Sequence, residues 1–325
     1  MASPSGMAMD THSLALAYLL NQPTLPIWPD MRAGLQRMAD RRPRDWRLPV
    51  VGCEAVGGTP QQALPAVAAV ACLQLSIILI DDLLDADPRG EYQRLGAPAA
   101  ANLAAAFQAA GLEAIEQSDI ASTTKLSALQ SLNAMALTTA LGQYWDTLNP
   151  ADEESYWRLV RTKSSPFFGA ALHVGALFGG APPGVAEQLR QIGLLYGEMI
   201  QIHDDLSDAM AVPANPDWAM GRSPLPILFA QVVDHPDRAR FLELRRAIPD
   251  PDALAEAQTL LLRCGAVSYG VHQLLTRYQS AAAMLRAMPL LQPAGLQMLL
   301  DDVVAPVQRL FAELGVEAII TPTPI

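Results

Sequence analysis

Asp81-Asp82-Leu83-Leu84-Asp85 decides the reading of this chain, because the same pattern returns as Asp204-Asp205-Leu206-Ser207-Asp208. Each copy closes an apolar, helix-compatible run, Leu73 to Ile80 before the first and Ile192 to Ile202 before the second. On a helix, residues i and i+4 share a face about 6 Å apart along the axis, and i+1 leans to the same side. Each copy therefore presents three carboxylates at the end of an apolar surface. Six carboxylates that converged without a cation would repel one another and resist ionising. Hard divalent cations remove that repulsion, and Mg²⁺ is the usual choice where carboxylates and phosphate oxygens share a metal. Asp81, Asp82, Asp85, Asp204, Asp205 and Asp208 are thus the candidate metal ligands. Asp301-Asp302 supplies an internal contrast: Ala305 stands in the fifth place, and the pair reads as a solvated helix start.

The rest of the chain reads as helix packed on helix. Alanine and leucine dominate its 325 residues, aromatics are only 6%, and β-branched runs are short. No Gly/Ser linker divides it, so the expectation is one all-α domain over residues 11–325. Residues 1–10 lack the basic and apolar segments of a signal peptide and read as a disordered tail. A net charge of −11 argues against a nucleic-acid partner. Cys53, Cys72 and Cys264 are odd in number, widely spaced and set among apolar residues. They read as buried free thiols of a reducing compartment, the cytoplasm, without a zinc site. Ala63 to Ile80 is the most membrane-like stretch, but it contains Pro65, Gln74 and Ser76 and runs straight into three aspartates. It reads as a buried core helix, not a membrane span.

Punctuation by proline and glycine sets the expected helices. A first long one covers about 30–41, after Pro23, Pro26 and Pro29, and a basic elbow, Arg41-Arg42-Pro43-Arg44, follows. A short segment then leads to Gly57-Gly58. Thr59-Pro60 opens the helix bearing the first Asp pattern, with Pro88 and Gly90 as its end. Further helices are expected at 98–117, 122–147, 152–163, 167–178 and 183–209, the last bearing the second pattern. A loop over 213–217 precedes helices at about 224–233, 236–246, 252–263, 267–287 and 293–315.

These residues resemble the trans-isoprenyl diphosphate synthases, or polyprenyl synthetases, over nearly the whole chain. The first Asp pattern followed by Arg89-Gly90, then Gln143 and Asp146, then Lys163-Ser164, are similar to successive motifs of that family. So are Gln201 with the second Asp pattern, and Gly221-Arg222-Ser223-Pro224-Leu225-Pro226. The resemblance implies a helical bundle around a central cavity, a homodimer, and three Mg²⁺ ions gripping the diphosphate of an allylic substrate. It makes Asp81, Asp82, Asp85, Lys163, Gln201, Asp204 and Asp205 catalytic candidates, with Lys163 and Arg222 as fixed positive charge and Gln201 as a dipole. Isopentenyl diphosphate would be the second substrate, and Arg42, Arg44, Gln74, Arg89, Ser164 and Arg222 the substrate-binding candidates. The family's product-limiting aromatic, four or five residues before the first pattern, is Ser76 or Ile77 here, which implies a tail of about twenty carbons or more, stopped near Leu73 or Val70.

Departures cluster on the second-substrate side. Asp45 replaces an arginine of the elbow pattern, Gln74 replaces a histidine, and Pro88-Arg89-Gly90 is one arginine short of Arg-Arg-Gly. The loop before Gly221 also lacks a further lysine of the family. An Asp in that pocket opposes a diphosphate, and arginine and lysine are not interchangeable as phosphate binders. Two enzymatic readings follow: chain elongation with isopentenyl diphosphate, or the same ionisation serving a terpene cyclase or another acceptor. A third, a non-enzymatic partner subunit, has no need of six ligands. His203 beside Asp204 suggests a metal-dependent phosphohydrolase, but a chain with five histidines fits that chemistry badly.

Overall fold

The computed structural model describes residues 10–23, 25–149 and 151–313. The tail expected over residues 1–10 lies outside the described residues, Asp10 excepted. Among the described residues there is no strand, as an all-α reading requires. The first half holds α1 (Thr11–Leu20), α2 (Pro29–Arg41), α3 (Leu48–Ala55), α4 (Pro60–Leu84), α5 (Tyr92–Leu95), α6 (Ala97–Glu116) and α7 (Ser122–Asp146). There follow α8 (Glu153–Lys163), α9 (Ser165–Phe178), α10 (Pro183–Ala209), α11 (Pro216–Met220) and α12 (Leu225–Val232). The chain closes with α13 (Arg238–Ala247), α14 (Pro251–Arg263), α15 (Ala266–Ala287) and α16 (Ala294–Glu313).

The centre is α9. Every one of its residues but His173 is buried, as an all-round apolar helix demands, and α3, α4, α7, α8 and α10 pack around it. A separate, smaller apolar cluster, with Trp218, Phe241 and Leu261 at its heart, joins α11 to α14. Helix α4 is long and apolar enough to cross a membrane, yet Ala63, Ala66 to Leu73, Leu75, Ser76 and Leu79 are buried inside the bundle. It starts with a capping box: the Thr59 hydroxyl accepts from the Gln62 N–H, and the Gln62 side chain accepts from the Thr59 N–H. Cys53 and Cys72 are buried and Cys264 half-buried, all unpaired, and burial pushes the Cys53 thiol up to about 11.

Four local readings need correction. Residues 11–20 form a helix that sequence reasoning omitted, capped by the Asp10 carboxylate, which accepts from the His12 and Ser13 N–H groups. The segment before Gly57 contains a 3₁₀ turn, Arg44–Arg47, and the buried α3. The loop at 213–217 gives way to α11 at Pro216. Asp301 and Asp302 lie within α16, and Asp301 accepts from the Tyr278 hydroxyl at 2.7 Å and the Gln297 amide at 2.8 Å. They are not a helix start.

Two glycines bring the site elements to backbone contact. A Cβ on Gly142 of α7 would lie 2.6 Å from Lys163 Cα at the end of α8. One on Gly197 of α10 would lie 2.7 Å from Ser165 Cα at the start of α9. Both obstacles are backbone, so neither can rotate away. Gly142→Ala should cost about 1–3 kcal/mol as overpacking, lower the calorimetric midpoint by several degrees, and reduce turnover by shifting Lys163. An unchanged midpoint with full activity would show that α7 tolerates a wider gap there.

Candidate active site

The carboxylates at the ends of α4 and α10 both come near Asp217, which feels the charges of Asp85 and Asp208. Lys163, the last residue of α8, lies between α4 and α7: its Nζ is 2.8 Å from Asp81 Oδ1 and 2.5 Å from Asp146 Oδ2. Burial works against the Lys163 ammonium, but Asp81 and Asp146 more than offset it and hold its pKa above the ordinary lysine value. Arg222, just after α11, makes an ion pair with Asp85 and sits 3.8 Å from Asp217. Asp81, Asp85 and Asp146 offer oxygens that all lie within 4.8 Å of one another, a donor set of the hard, anionic kind that suits Mg²⁺. Asp204 is largely exposed and makes a 3.3 Å contact with His203. Asp208 faces the Asn215 side chain. A cavity of about 120 Å³ lies among Asp146, Lys163, Ser164, Gln201, Asp205 and Arg222. A larger one, about 540 Å³ between α7, α9 and α10, holds none of these groups and stands apart from the chemistry.

Neighbouring aspartates within one pattern do different things, because successive side chains on a helix are turned about 100° apart. Asp82 points away from the Asp81–Asp85–Asp146 group and lines a hollow with Arg37, Arg41 and Arg89. Asp205 departs furthest from its expected role as a metal ligand. It is 5% exposed, and its carboxylate accepts from the Tyr156 hydroxyl at 2.6 Å, the Leu225 N–H at 2.7 Å and the Gln201 amide at 2.8 Å. Three of a carboxylate's roughly four acceptor positions are thus filled by protein donors. Gln201 in turn accepts from the Ser164 hydroxyl at 2.6 Å.

Arg42, Arg44, Gln74 and Arg89 do not converge on one pocket; of the four only Arg89 lines the hollow with Arg37 and Arg41. Arg42 adopts a left-handed backbone, φ 53°, that turns its side chain 3.1 Å from Asp10, on a surface hollow with His12 and Gln36. Arg89 folds back on Asp87 at 2.8 Å and is largely exposed. Arg44 is exposed on its 3₁₀ turn. Gln74 is already engaged: its amide donates to Asp45 Oδ2 at 2.7 Å, and its carbonyl accepts from the buried Trp46 indole N–H at 2.9 Å. The two departures from the family pattern, Asp45 and Gln74, are hydrogen-bonded to each other. Burial raises the Asp45 pKa, and the charge of Asp204 acts in the same direction.

Asp146, Asp217 and Tyr156 complete the site from outside the two Asp patterns. Asp146 was marked only by its place in the resemblance. Asp217 precedes Arg222 in a stretch read as a loop, and Tyr156 carried no signal beyond its helix.

Fold and site together define a helical bundle that gathers carboxylates and two internal cations at one end of its core. The profile for polyprenyl synthetases matches residues 46–258, and the chain belongs to that family of prenyltransferases. The short chain isoprenyl diphosphate synthase of Methanothermobacter thermautotrophicus is 27% identical over 237 residues, which are 68% of this chain and 73% of that one. The geranylgeranyl diphosphate synthase of Methanosarcina mazei is 28% identical over 182 residues, 53% of this chain and 55% of its own length. In fold, the geranylgeranyl pyrophosphate synthetase of Pyrococcus horikoshii superposes with a TM-score of 0.79 at 22% identity, covering 90% of this chain and 94% of that one.

Burial, opposed by its three donors, pushes the Asp205 carboxyl from 3.8 up to about 6. The folded chain then holds this proton more tightly than the unfolded chain does. That stabilisation is complete below the unfolded value and lost as pH rises through the folded one. In metal-free protein, the thermal midpoint of the parent relative to Asp205→Asn should therefore fall between about pH 4 and pH 6.5. A difference that stays flat across this window would show that Asp205 is ionised throughout.

Proposed function

We propose that this chain is a Mg²⁺-dependent trans-prenyltransferase that ionises an allylic diphosphate and condenses it with isopentenyl diphosphate, giving an all-trans isoprenyl diphosphate of about twenty carbons or more. The observation that carries the reading is the convergence of Asp81, Asp85 and Asp146 with Lys163 and Arg222 at the mouth of an apolar bundle. Three carboxylates facing two cations leave room for further positive charge. Mg²⁺, three ions by the family resemblance, would supply it when bound, offsetting the charge of the diphosphate. Asp204, which is exposed, and Asp208 would complete the ligand set. Lys163 and Arg222 bind diphosphate oxygens as fixed charges that need no reorganisation. The allylic C–O bond breaks with its electron pair leaving on the diphosphate. Gln201 and Ser164 turn oxygen atoms toward the carbon left positive, and buried Leu73, Val70 and Ser76 exclude water from it. The double bond of the second substrate then forms the new carbon–carbon bond, and a proton leaves to the diphosphate.

A geranylgeranyl diphosphate synthase of Methanosarcina mazei and a nonaprenyl diphosphate synthase of Mycobacterium tuberculosis are among the relatives, which supports the proposed product length. Leu137, Leu141 and Tyr144 leave α7 with an exposed apolar face, which supports a homodimer through that helix. Three unpaired thiols suit a cytoplasmic setting. The Asp45–Gln74 hydrogen bond favours a second reading, in which the same ionisation serves a cyclisation or an acceptor without a diphosphate.

The deciding experiment is turnover of purified protein with Mg²⁺ and allylic diphosphates, with and without isopentenyl diphosphate, products read by mass spectrometry. Longer diphosphates are expected. Hydrocarbons or prenylated acceptors establish the second reading, and no turnover at all makes the chain a partner subunit. Asp81→Ala and Asp204→Ala should each lower turnover at least about a hundredfold, as loss of transition-state charge stabilisation does. Near-parental activity in either variant removes that residue from the site.

Product length offers an independent check. The tail should run along the α4 face of Ile77, Ser76, Leu73 and Val70, where Gln143 of α7 reaches the Ile77 carbonyl at 3.4 Å. Ser76→Phe places a ring on that path and should shorten the longest product or accepted substrate. An unchanged length distribution would show that the tail follows another face.

A further inference from the structure

Gln201 is an amide with two ends of opposite sign, and only one of them suits a developing carbocation. Its orientation is settled by its neighbours. An ionised carboxylate accepts hydrogen bonds and donates none, so Asp205 Oδ1, 2.8 Å away, must face the Gln201 NH₂. The Gln201 carbonyl is thereby turned the other way, toward the Ser164 hydroxyl at 2.6 Å. Ser164 spends its proton on that bond, which leaves oxygen lone pairs of both residues at the cavity they share with Lys163 and Arg222. If the amide flipped, it would aim N–H groups at the same place.

What holds Asp205 decides the sign of the Gln201 dipole. Asp205 Oδ2 accepts from the Leu225 N–H at the start of α12 and from the Tyr156 hydroxyl on α8. Tyr156 is 3% exposed, and its ring packs edge-on against Trp157 with centroids 4.9 Å apart. It lines the cavity that Asp146, Lys163 and Arg222 share, but its hydroxyl donates to Asp205 and to none of those groups. We propose that Tyr156 is a positioning residue: by fixing the Asp205 carboxylate, it locks Gln201 and Ser164 with their oxygens toward the reacting carbon.

This inference rests on the ionisation reading above and deepens it. The diphosphate grip of Lys163 and Arg222 does not pass through Tyr156, so substrate binding and ionisation should separate. Tyr156→Phe is expected to lower kcat about tenfold to a hundredfold, as loss of a supporting hydrogen bond behind a site group does, with both KM values unchanged. In a Gln201→Ala background the same substitution should cost nothing further, because the dipole it orients is gone. Should Tyr156→Phe fail to fold, Asp205→Asn is crossed with Gln201→Ala in the same way, since an asparagine accepts either amide orientation. Losses that multiply in the double variant, or a raised KM with kcat preserved, overturn the inference and make Tyr156 a purely structural residue. An active parent with multiplying losses removes this inference alone. A parent that turns over no allylic diphosphate removes the proposed function as well.

Discussion

Everything at the mouth of this bundle depends on keeping like charges close together. Asp81, Asp85 and Asp146 place oxygens within 4.8 Å of one another, with Asp217 beside them, at the end of a core whose helices are apolar. Two unit charges 4 Å apart interact by about 4 kcal/mol at the effective dielectric of a protein surface. Repulsion of that size would splay the helix ends if nothing opposed it. Lys163 and Arg222 oppose it, one from the end of α8 and one from the turn after α11. Such pairs lose much of their Coulomb gain to desolvation. Their value lies in holding a charge pattern that a ligand completes, and they contribute little net stability.

The close helix packing follows from the same requirement. Lys163 reaches Asp81 and Asp146 together because Gly142 lets α7 touch the end of α8. Ser164 reaches Gln201 because Gly197, one turn earlier on α10, lets that helix touch the start of α9. A charged cluster and a neutral dipole pair are each fixed by one backbone contact that only glycine permits. The apolar α9 between them supplies rigidity.

Much of this was legible in the sequence, for physical reasons. The paired Asp patterns stand out because a helix puts i and i+4 on one face, and Lys163, Arg222, Gln201 and Ser164 keep the spacing of a known family. What stayed hidden was the rotation within each pattern. Asp204 is exposed while Asp205 is buried, yet both letters read alike. Tyr156 joins the site through a hydrogen bond across 49 residues, and Asp217 through Arg222, whose other partner is the distant Asp85; no local pattern records either. The omitted helices have a different cause. Pro49 and Pro216 look like breakers, but each sits in the first turn of its helix, where a missing N–H costs nothing. Asp10 looked like the end of a tail and is a helix cap.

The two halves of the cleft differ in a way that composition alone conceals. Around Asp81, Asp85 and Asp146, carboxylates outnumber the cations that face them, an imbalance that suits a bound cation. On the acceptor side, the polar groups are matched among themselves. Asp45 alone would leave a half-buried charge without a donor, and Gln74 alone would leave Trp46 facing an amide free to turn. Together they satisfy one another, with the Trp46 N–H fixing the amide so that its NH₂ meets the carboxylate. Replacing either one singly would therefore strand its partner, a cost that buried polar groups do not escape. The pair behaves as one unit, and that unit presents a carboxyl group where the family pattern has an arginine. Under the proposed function, the residues assigned to breaking the allylic bond keep the family pattern, and the Asp45–Gln74 pair alters the wall assigned to the second reactant.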